Sequence, residues 1–447
     1  MKLWHKKSEV NKLIEQFTIG KDNILDMELA YFDVVGSMAH AKMLSEIGLL
    51  SAEEYLKIHQ SLTEILKDIE NKNFKIQEGV EDIHSQVELT LTERLGETGK
   101  RIHTGRSRND QVLLDLKLYF RWQIYEIIQL TEPLFSRLID LSNQHREVLL
   151  PGYTHFQIAM PSSFGLWFGA YAESLTDDMV LLRAAFEVIN RNPLGSAAGY
   201  GSSFPLDRQM TTDLLGFDTM NYNVVYAQMG RGKAEKTLAI ALGSIADTLG
   251  KFSYDACLYM SQNFGFISFP EEYTTGSSIM PHKKNPDVFE LIRGKCDQIK
   301  SLVTEIGLLT GNLPSGYHRD MQLLKESLFE GIESMKECLF MTHFMLGKIE
   351  VRQNILDDEK YDYIFSVELV NELVRAGKSF RDAYREVGKR IAEGDYVPQK
   401  ELDHTHAGSL GNLKNDEIES LMNQHLNFFK LKYAHIGSVM KNLIGEH

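Results

Sequence analysis

Three polar stretches concentrate the side chains of this sequence that can bind or move charge. The first is Thr104-Gly105-Arg106-Ser107-Arg108-Asn109-Asp110-Gln111. It places guanidiniums, amides and hydroxyls at the start of a helix, where free backbone N–H groups and arginine forks both favour carboxylates. The second is Gly152-Tyr153-Thr154-His155-Phe156-Gln157. Histidine is the side chain best placed to exchange protons near neutral pH, although a lone histidine in a loop is more often structural. The third is Thr275-Gly276-Ser277-Ser278-Ile279-Met280-Pro281-His282-Lys283-Lys284-Asn285-Pro286. Its glycine, serines and lysines between prolines predict a mobile, anion-binding loop. The spacing of a P-loop is absent, so nucleotide phosphates are not the expected anion.

Each stretch also has a plainer reading, as a capped helix start, a loop histidine or a solvated basic loop. Weaker candidates lie elsewhere. Asn192-Pro193-Leu194-Gly195-Ser196-Ala197-Ala198-Gly199-Tyr200-Gly201 is glycine-rich but lacks the preceding strand and spacing of a dinucleotide site. His404-Thr405-His406 offers two imidazoles in an acidic loop, where solvation is the expected state and no metal is assigned.

These stretches must be positioned by helices. Ten prolines in 447 residues is under half the usual share of ~5%. None lies before Pro133, between Pro205 and Pro270, or between Pro314 and Pro398. Such intervals suit long helices, because an interior proline removes a hydrogen bond and clashes with the preceding turn. The pattern predicts a helix over 111–146 with a kink at Pro133, one from Pro161 to Ile189, and one over 226–263, amphipathic around Leu238, Leu242, Ile245 and Leu249. Ser51 and Glu54 form a candidate capping box before a stripe of Tyr55, Ile58, Leu62, Ile65, Leu66 and Ile69. A helix of 30 residues is about 45 Å long, and rods of that length bury their apolar stripes only in a bundle, often one shared between subunits. The expected architecture is mainly α in three parts. These are an N-terminal helical domain (1–105), a central long-helix bundle (106–350) carrying the loop 271–288, and a small C-terminal helical domain (351–447). The last is built from helices at 367–376, 380–392 and 415–441.

Composition excludes several classes of function. The sequence has 43% hydrophobic and 25% charged residues, as an ordinary globular protein does. With 48 Lys and Arg against 62 Asp and Glu, the net charge of −14 argues against nucleic acid or an anionic membrane as partner. Cys257, Cys296 and Cys338 are far apart in sequence and form no C-x-x-C, which predicts reduced thiols rather than zinc. The first residues carry lysines without the apolar run of a secretory signal, and no stretch approaches a membrane span. A cytoplasmic protein is expected.

Taken together, the polar stretches resemble the aspartase/fumarase superfamily. Gly276-Ser277-Ser278-Ile279-Met280-Pro281 with Lys283-Lys284-Asn285-Pro286 is similar to its signature loop. Thr104 to Gln111 has the form typical of the branch that cleaves argininosuccinate, and Glu81-Asp82-Ile83-His84 before it is also family-like. Tyr153-Thr154-His155, Asn192 to Ser196, Phe204 to Arg208 and Tyr317-His318-Arg319-Asp320-Met321-Gln322 match in order. The likeness covers about residues 20–395.

The resemblance implies three mainly helical domains, with the middle one contributing to a 20-helix core in a homotetramer whose active sites are shared between subunits. It implies reversible cleavage of the small molecule argininosuccinate to arginine and fumarate, as the last step of arginine biosynthesis, without metal or organic cofactor. It implies Ser277 as the base, Lys283 and Asn285 at the carboxylate whose charge grows, His155 as the acid for the leaving nitrogen and Glu290 as its charge partner. The roles of Ser277 and His155 have been assigned in either direction within the superfamily. Arg108, Asn109, Thr154, Tyr317, Gln322 and Lys325 map onto substrate-binding positions. A sister lyase acting on adenylosuccinate or aspartate, and a non-catalytic structural relative, are the alternatives.

The chain also departs from the family pattern. Trp4 is followed by His5-Lys6-Lys7 where Trp-Gly-Gly-Arg-Phe is usual. A substrate-binding serine expected near Phe17 is replaced by Thr18-Ile19-Gly20-Lys21-Asp22. His282 and Met160 each stand where glutamine is common. These changes bear on the amino-acid end of the substrate site rather than on the elimination chemistry.

Overall fold

The computed structural model describes residues 12–445; the departure at Trp4–Lys7 lies outside them. Eleven helices organise the part of the chain that matters for function. Three form the N-terminal layer: α1 (Ala30–Glu46), α2 (Ala52–Glu70) and α3 (Ile83–Leu95). Five long ones form the centre: α4 (Arg108–Gln144), α5 (Phe164–Ile189), α6 (Lys233–Met260), α7 (Asp287–Thr310) and α8 (Leu324–Leu346). The last three are α9 (Ser366–Arg375), α10 (Phe380–Glu393) and α11 (Asn415–Ile444).

The helix starts follow from local chemistry. Ser51 and Glu54 make the expected reciprocal capping box at α2. Ser107 and Asp110 make a second one at α4, with the Ser107 N–H donating to Asp110 at 2.9 Å. α4 continues through Pro133 and buries Ile124, Ile127, Leu134 and Leu138 along one side.

The five central helices alternate in direction. Ser244 and Thr248 of α6 donate to Asp178 of α5 at 2.5 and 2.7 Å, while Trp167, earlier on α5, reaches Asp255, later on α6. That crossing order makes the pair antiparallel. A Cβ on Gly232, before α6, would meet Thr310 at the end of α7, whereas one on Gly250 would meet Cys296 in its middle. α8 returns along α7, where Gly331 lets Leu302 approach, and then runs beside α4 through the Tyr119–Phe329 ring pair at 4.5 Å and the Lys336–Glu126 pair at 2.7 Å. The bundle therefore has two ends. One gathers the starts of α4, α6 and α8; the other gathers the ends of those helices and the starts of α5 and α7.

Two expectations need correction. The helix expected from Pro161 begins at Phe164, because residues 149–163 form a hairpin, β1 (Leu149–Thr154) with β2 (Gln157–Ser163). Pro161 pairs with Pro151, and Ser163 supplies the cap by accepting from Leu166 N–H at 3.1 Å. A serine cap outcompetes a proline start here, and proline is tolerated in a two-stranded ribbon that needs few of its N–H groups. The helix expected over 226–263 is broken in two, a short helix Val224–Met229 and then α6 from Lys233, with Gly232 between them at a left-handed φ of 79°.

The last hundred residues divide in two. Val370, Ala383 and Val387 make a small core between α9 and α10. α11 instead lies on the bundle, with Phe429 against Phe186 and the Tyr433 hydroxyl donating to the Arg121 carbonyl at 2.6 Å. Cys296 and Cys338, distant in sequence, face each other between α7 and α8 as free thiols, and hydrogen bonding to Cys338 with burial pushes the Cys296 thiol up. Among the described residues no helix is long and apolar enough to cross a membrane.

Candidate active site

The polar stretches sit at opposite ends of the bundle. At the first end, Arg108 opens α4 and its guanidinium donates to Asp82 at 2.7 Å and Glu81 at 2.9 Å. Burial works against the charge of Arg108, but the two carboxylates overcome it and hold the group firmly protonated. Glu81 also pairs with Arg319, which brings the 104–111 stretch and the 317–322 stretch together. Arg319 in turn donates to Gln322 at 3.1 Å. The side-chain amide of Gln322 donates to the carbonyls of Thr18 and Ile19 at 3.1 and 3.0 Å. Those carbonyls end the helix Lys12–Ile19, so the segment that lacks the expected serine is pinned to this cluster. Tyr317 is partly exposed beside it.

Lys325, in the first turn of α8, is only 3% exposed and is held by Asp22 at 2.6 Å and Asp26 at 2.5 Å. Burial raises the Asp22 carboxyl to about 6 against the pull of Lys325, with repulsion from Asp26 added and a weaker pull from Arg231. Asp110, behind Arg108 and Asn109, accepts from Gly195 N–H at 3.0 Å and Ala197 N–H at 2.9 Å. Burial likewise raises its carboxyl to about 6, although three backbone N–H groups favour the anion. The glycine-rich stretch 192–201 is thus a brace for the start of α4.

Beneath this end lies a buried triad. His84 approaches Asp33 at 2.7 Å and Asp115 at 3.3 Å. Burial alone would strip its proton, but the carboxylates of Asp33 and Asp115 reverse the effect and hold the imidazolium to about 10. Arg106, also buried, donates to Ser37 at 2.9 Å and adds a second positive charge beside the same carboxylates.

At the opposite end the connectors carry the chemistry. His155 and Phe156 form the two-residue turn of the β1–β2 hairpin, with φ of 54° and 58°. This mirror-image turn usually takes asparagine and glycine. Here it holds an exposed imidazole at the tip, with Thr154 exposed beside it. The hairpin rests on the bundle through Tyr153 against Phe264. Met160, on β2, is 41% exposed.

The 276–286 loop joins α6 to α7. Thr275 pairs with Asn285 and Gly276 with Lys284, so the loop closes on itself. Ser277 Oγ accepts from Met280 N–H at 3.1 Å and, more weakly, from Ile279 N–H at 3.4 Å. Two N–H groups aimed at one hydroxyl oxygen favour negative charge there. Lys283 is exposed with its N–H on the Met280 carbonyl, His282 is exposed next to it, and Asn285 is half-buried. Glu290 is exposed in the first turn of α7.

Among the described residues, His155 forms no hydrogen bond or ion pair with Ser277 or Glu290, and neither loop touches the Arg108 cluster. α4 alone, at 37 residues, separates the ends by about 55 Å. Sequence reasoning found both ends but missed that Asp22, Asp26, Glu81 and Asp82 hold the cations of the first one. The Glu81–His84 stretch was the available signal.

The protein matches a lyase family model over residues 5–300. It is 60% identical over 445 residues to the argininosuccinate lyase of Bacteroides thetaiotaomicron, covering 100% of this chain and 99% of that one. It is 57% identical to that of Parabacteroides distasonis, covering 96% and 97%. Among solved structures, EDDS lyase in complex with formate superposes with a TM-score of 0.76 at 19% identity, covering 99% and 96% of the two chains.

Proposed function

The chain belongs to the argininosuccinate lyase family, and from that premise we propose that it eliminates fumarate reversibly from argininosuccinate to release arginine. The observation that carries the reading is the full-length likeness to argininosuccinate lyases.

The chemistry asks for what the two ends offer. A proton leaves the carbon beside a carboxylate, the adjacent C–N bond breaks, its electrons leave with the guanidino nitrogen, and that nitrogen regains a proton. The carbanion survives only as an aci-carboxylate with extra negative charge, so a base, an acid and nearby cations are required. Ser277 is the base in this reading, its oxyanion supported by the Ile279 and Met280 N–H groups. Lys283 and Asn285 hold the carboxylate whose charge grows. His155, presented by its exposed turn, protonates the leaving nitrogen with Glu290 as its charge partner. Thr154 joins the substrate contacts beside it, while Arg108, Asn109, Tyr317, Gln322 and Lys325 form the other side of the site.

The separation of the two ends supports a site completed by other subunits in a homotetramer. So do the apolar side chains left on the outside of the bundle, such as Val180 at 51%, Leu291 at 66% and Leu308 at 74% exposed. Reduced thiols and a soluble substrate fit a cytoplasmic enzyme. Fumarate appearance, followed by ultraviolet absorbance with argininosuccinate, adenylosuccinate and aspartate offered separately, tests the assignment. Turnover of argininosuccinate alone is expected. Turnover of another adduct instead would reassign the substrate, and silence on all three from folded protein would remove the activity.

A further inference from the structure

A cavity of about 1240 Å³ opens along the middle of α4, with the start of α1, α8 and α11 completing its walls. None of the residues proposed to meet the substrate lines it, so it is separate from the site described above. It also takes no residue from α5 or α7, whose outer apolar side chains suit contact between chains.

One part of the wall is both aromatic and acidic. The Tyr119 ring meets Phe32 edge-on at 5.9 Å. Burial pushes the Tyr119 hydroxyl up, and the charges of Glu28, Glu333 and Glu126 push it further. These carboxylates converge from three elements: the turn before α1, α8 and α4. Lys336 is the cation that answers them, at 2.7 Å from Glu126 and 2.6 Å from Glu333. Among the described residues Glu28, which is exposed, has no ion pair. Three ionised carboxylates around one ammonium leave the place negative.

Gln123 is an independent sign of a ligand. It lines the same cavity from α4 and is only 5% exposed, yet its side-chain oxygen has no hydrogen-bond partner among the described residues. Buried acceptors of this kind are normally satisfied, and the group that satisfies this one must donate a hydrogen. Trp122, 50% exposed, extends the aromatic lining, and ring faces attract cations.

We propose that this cavity binds an aliphatic organic cation with N–H donors, of the guanidinium or primary ammonium class. The positive charge lies among Glu28, Glu126 and Glu333, an N–H reaches the Gln123 oxygen, and the aliphatic stem lies along the aromatic wall. A metal ion suits the place poorly, because the cavity is wide and walled by rings, whereas a bound metal needs a close shell of oxygen ligands.

Isothermal titration calorimetry on the full-length protein, with butylguanidinium and butylammonium as probes, tests this. The controls are 1-butylurea, a neutral molecule of nearly the same shape as butylguanidinium, and pentanoate, an anion that would seek Lys430 and Lys441 on α11. The cations should bind roughly tenfold or more tightly than either control, and Glu28→Gln should weaken them by roughly 5- to 30-fold, the scale of a charge-assisted hydrogen bond. Gln123→Leu, which keeps the volume and removes the acceptor, should weaken them as well. Binding should change the fluorescence of Trp122, and Trp122→Phe should remove that change. Cations that bind no better than butylurea, or pentanoate that binds more tightly than the cations, would overturn the proposal. So would wild-type affinity in both Glu28→Gln and Gln123→Leu, because the cation would then sit elsewhere, as at the carboxylates of the Arg108–Lys325 cluster. If Gln123→Leu does not fold, Glu28→Gln decides alone by the same criterion.

Discussion

In the proposed reaction Ser277 is the base, and its loop offers a weakly acidic hydroxyl the support that this role would need. The Met280 and Ile279 N–H groups point at its oxygen, so the oxygen that must carry charge is already solvated by the loop. Ser277→Ala should cut turnover by roughly 10²–10⁴-fold, the range for losing a general base, while gel filtration and circular dichroism stay as in the wild type. Retained turnover would move the base elsewhere. His84 illustrates a buried charge with a structural task. Its folded-state pKa of about 10 lies above the ordinary 6.5, so the stabilisation is complete below about 6.5 and is lost as pH rises through about 10. His84→Asn should remove that alkaline slope from the urea midpoint and cost roughly 3–5 kcal/mol at neutral pH. A variant with wild-type stability and the same slope would contradict the ion-pair account. The side chains proposed to meet the substrate stood out in the sequence because their types and spacing are unusual. Asp22 and Asp26 did not, since an isolated aspartate carries no pattern until folding brings to it a lysine as distant in sequence as Lys325, which lies 299 positions from Asp26.

At the level of elements, α4 was readable from end to end, including its proline. The capping pair Ser107 and Asp110 marks its first turn, and an apolar stripe marks its length. The hairpin 149–163 was not readable, because it is short, carries prolines in both strands, and turns on His155 and Phe156 rather than on glycine or asparagine. Backbone strain of this kind often collects at functional turns, which accords with the role proposed for His155. The role of the 192–201 stretch also emerged only from the fold, as the brace whose Gly195 and Ala197 N–H groups bind Asp110. Asp110→Ala would strip those donors and the α4 cap of their acceptor. A loss of roughly 2 kcal/mol or more is expected in urea denaturation, together with a raised KM, because Arg108 and Asn109 ride on that turn. Unchanged stability would show that the brace is dispensable.

For the molecule as a whole, the decisive feature is the division of chemistry between the ends of an antiparallel bundle. Alternating helices send the loops carrying His155 and Ser277 to one end and the Arg108–Lys325 cluster to the other, about 55 Å away along α4. In the proposed reading one chain presents both halves of a site without joining them. The apolar side chains along the outside of α5 and α7 give a reason for chains to pack together. The central bundle was legible from proline spacing and periodicity. The sharing of sites was implied by resemblance alone and is part of the proposal that the two-ended placement motivates. The most direct test mixes two inactive variants, Ser277→Ala and His155→Asn, after verified exchange of subunits. If each site draws these residues from different chains, random assembly should restore about a quarter of wild-type activity, because some sites then receive both native side chains. Mixed oligomers that remain as inactive as their parents would contradict the shared-site account.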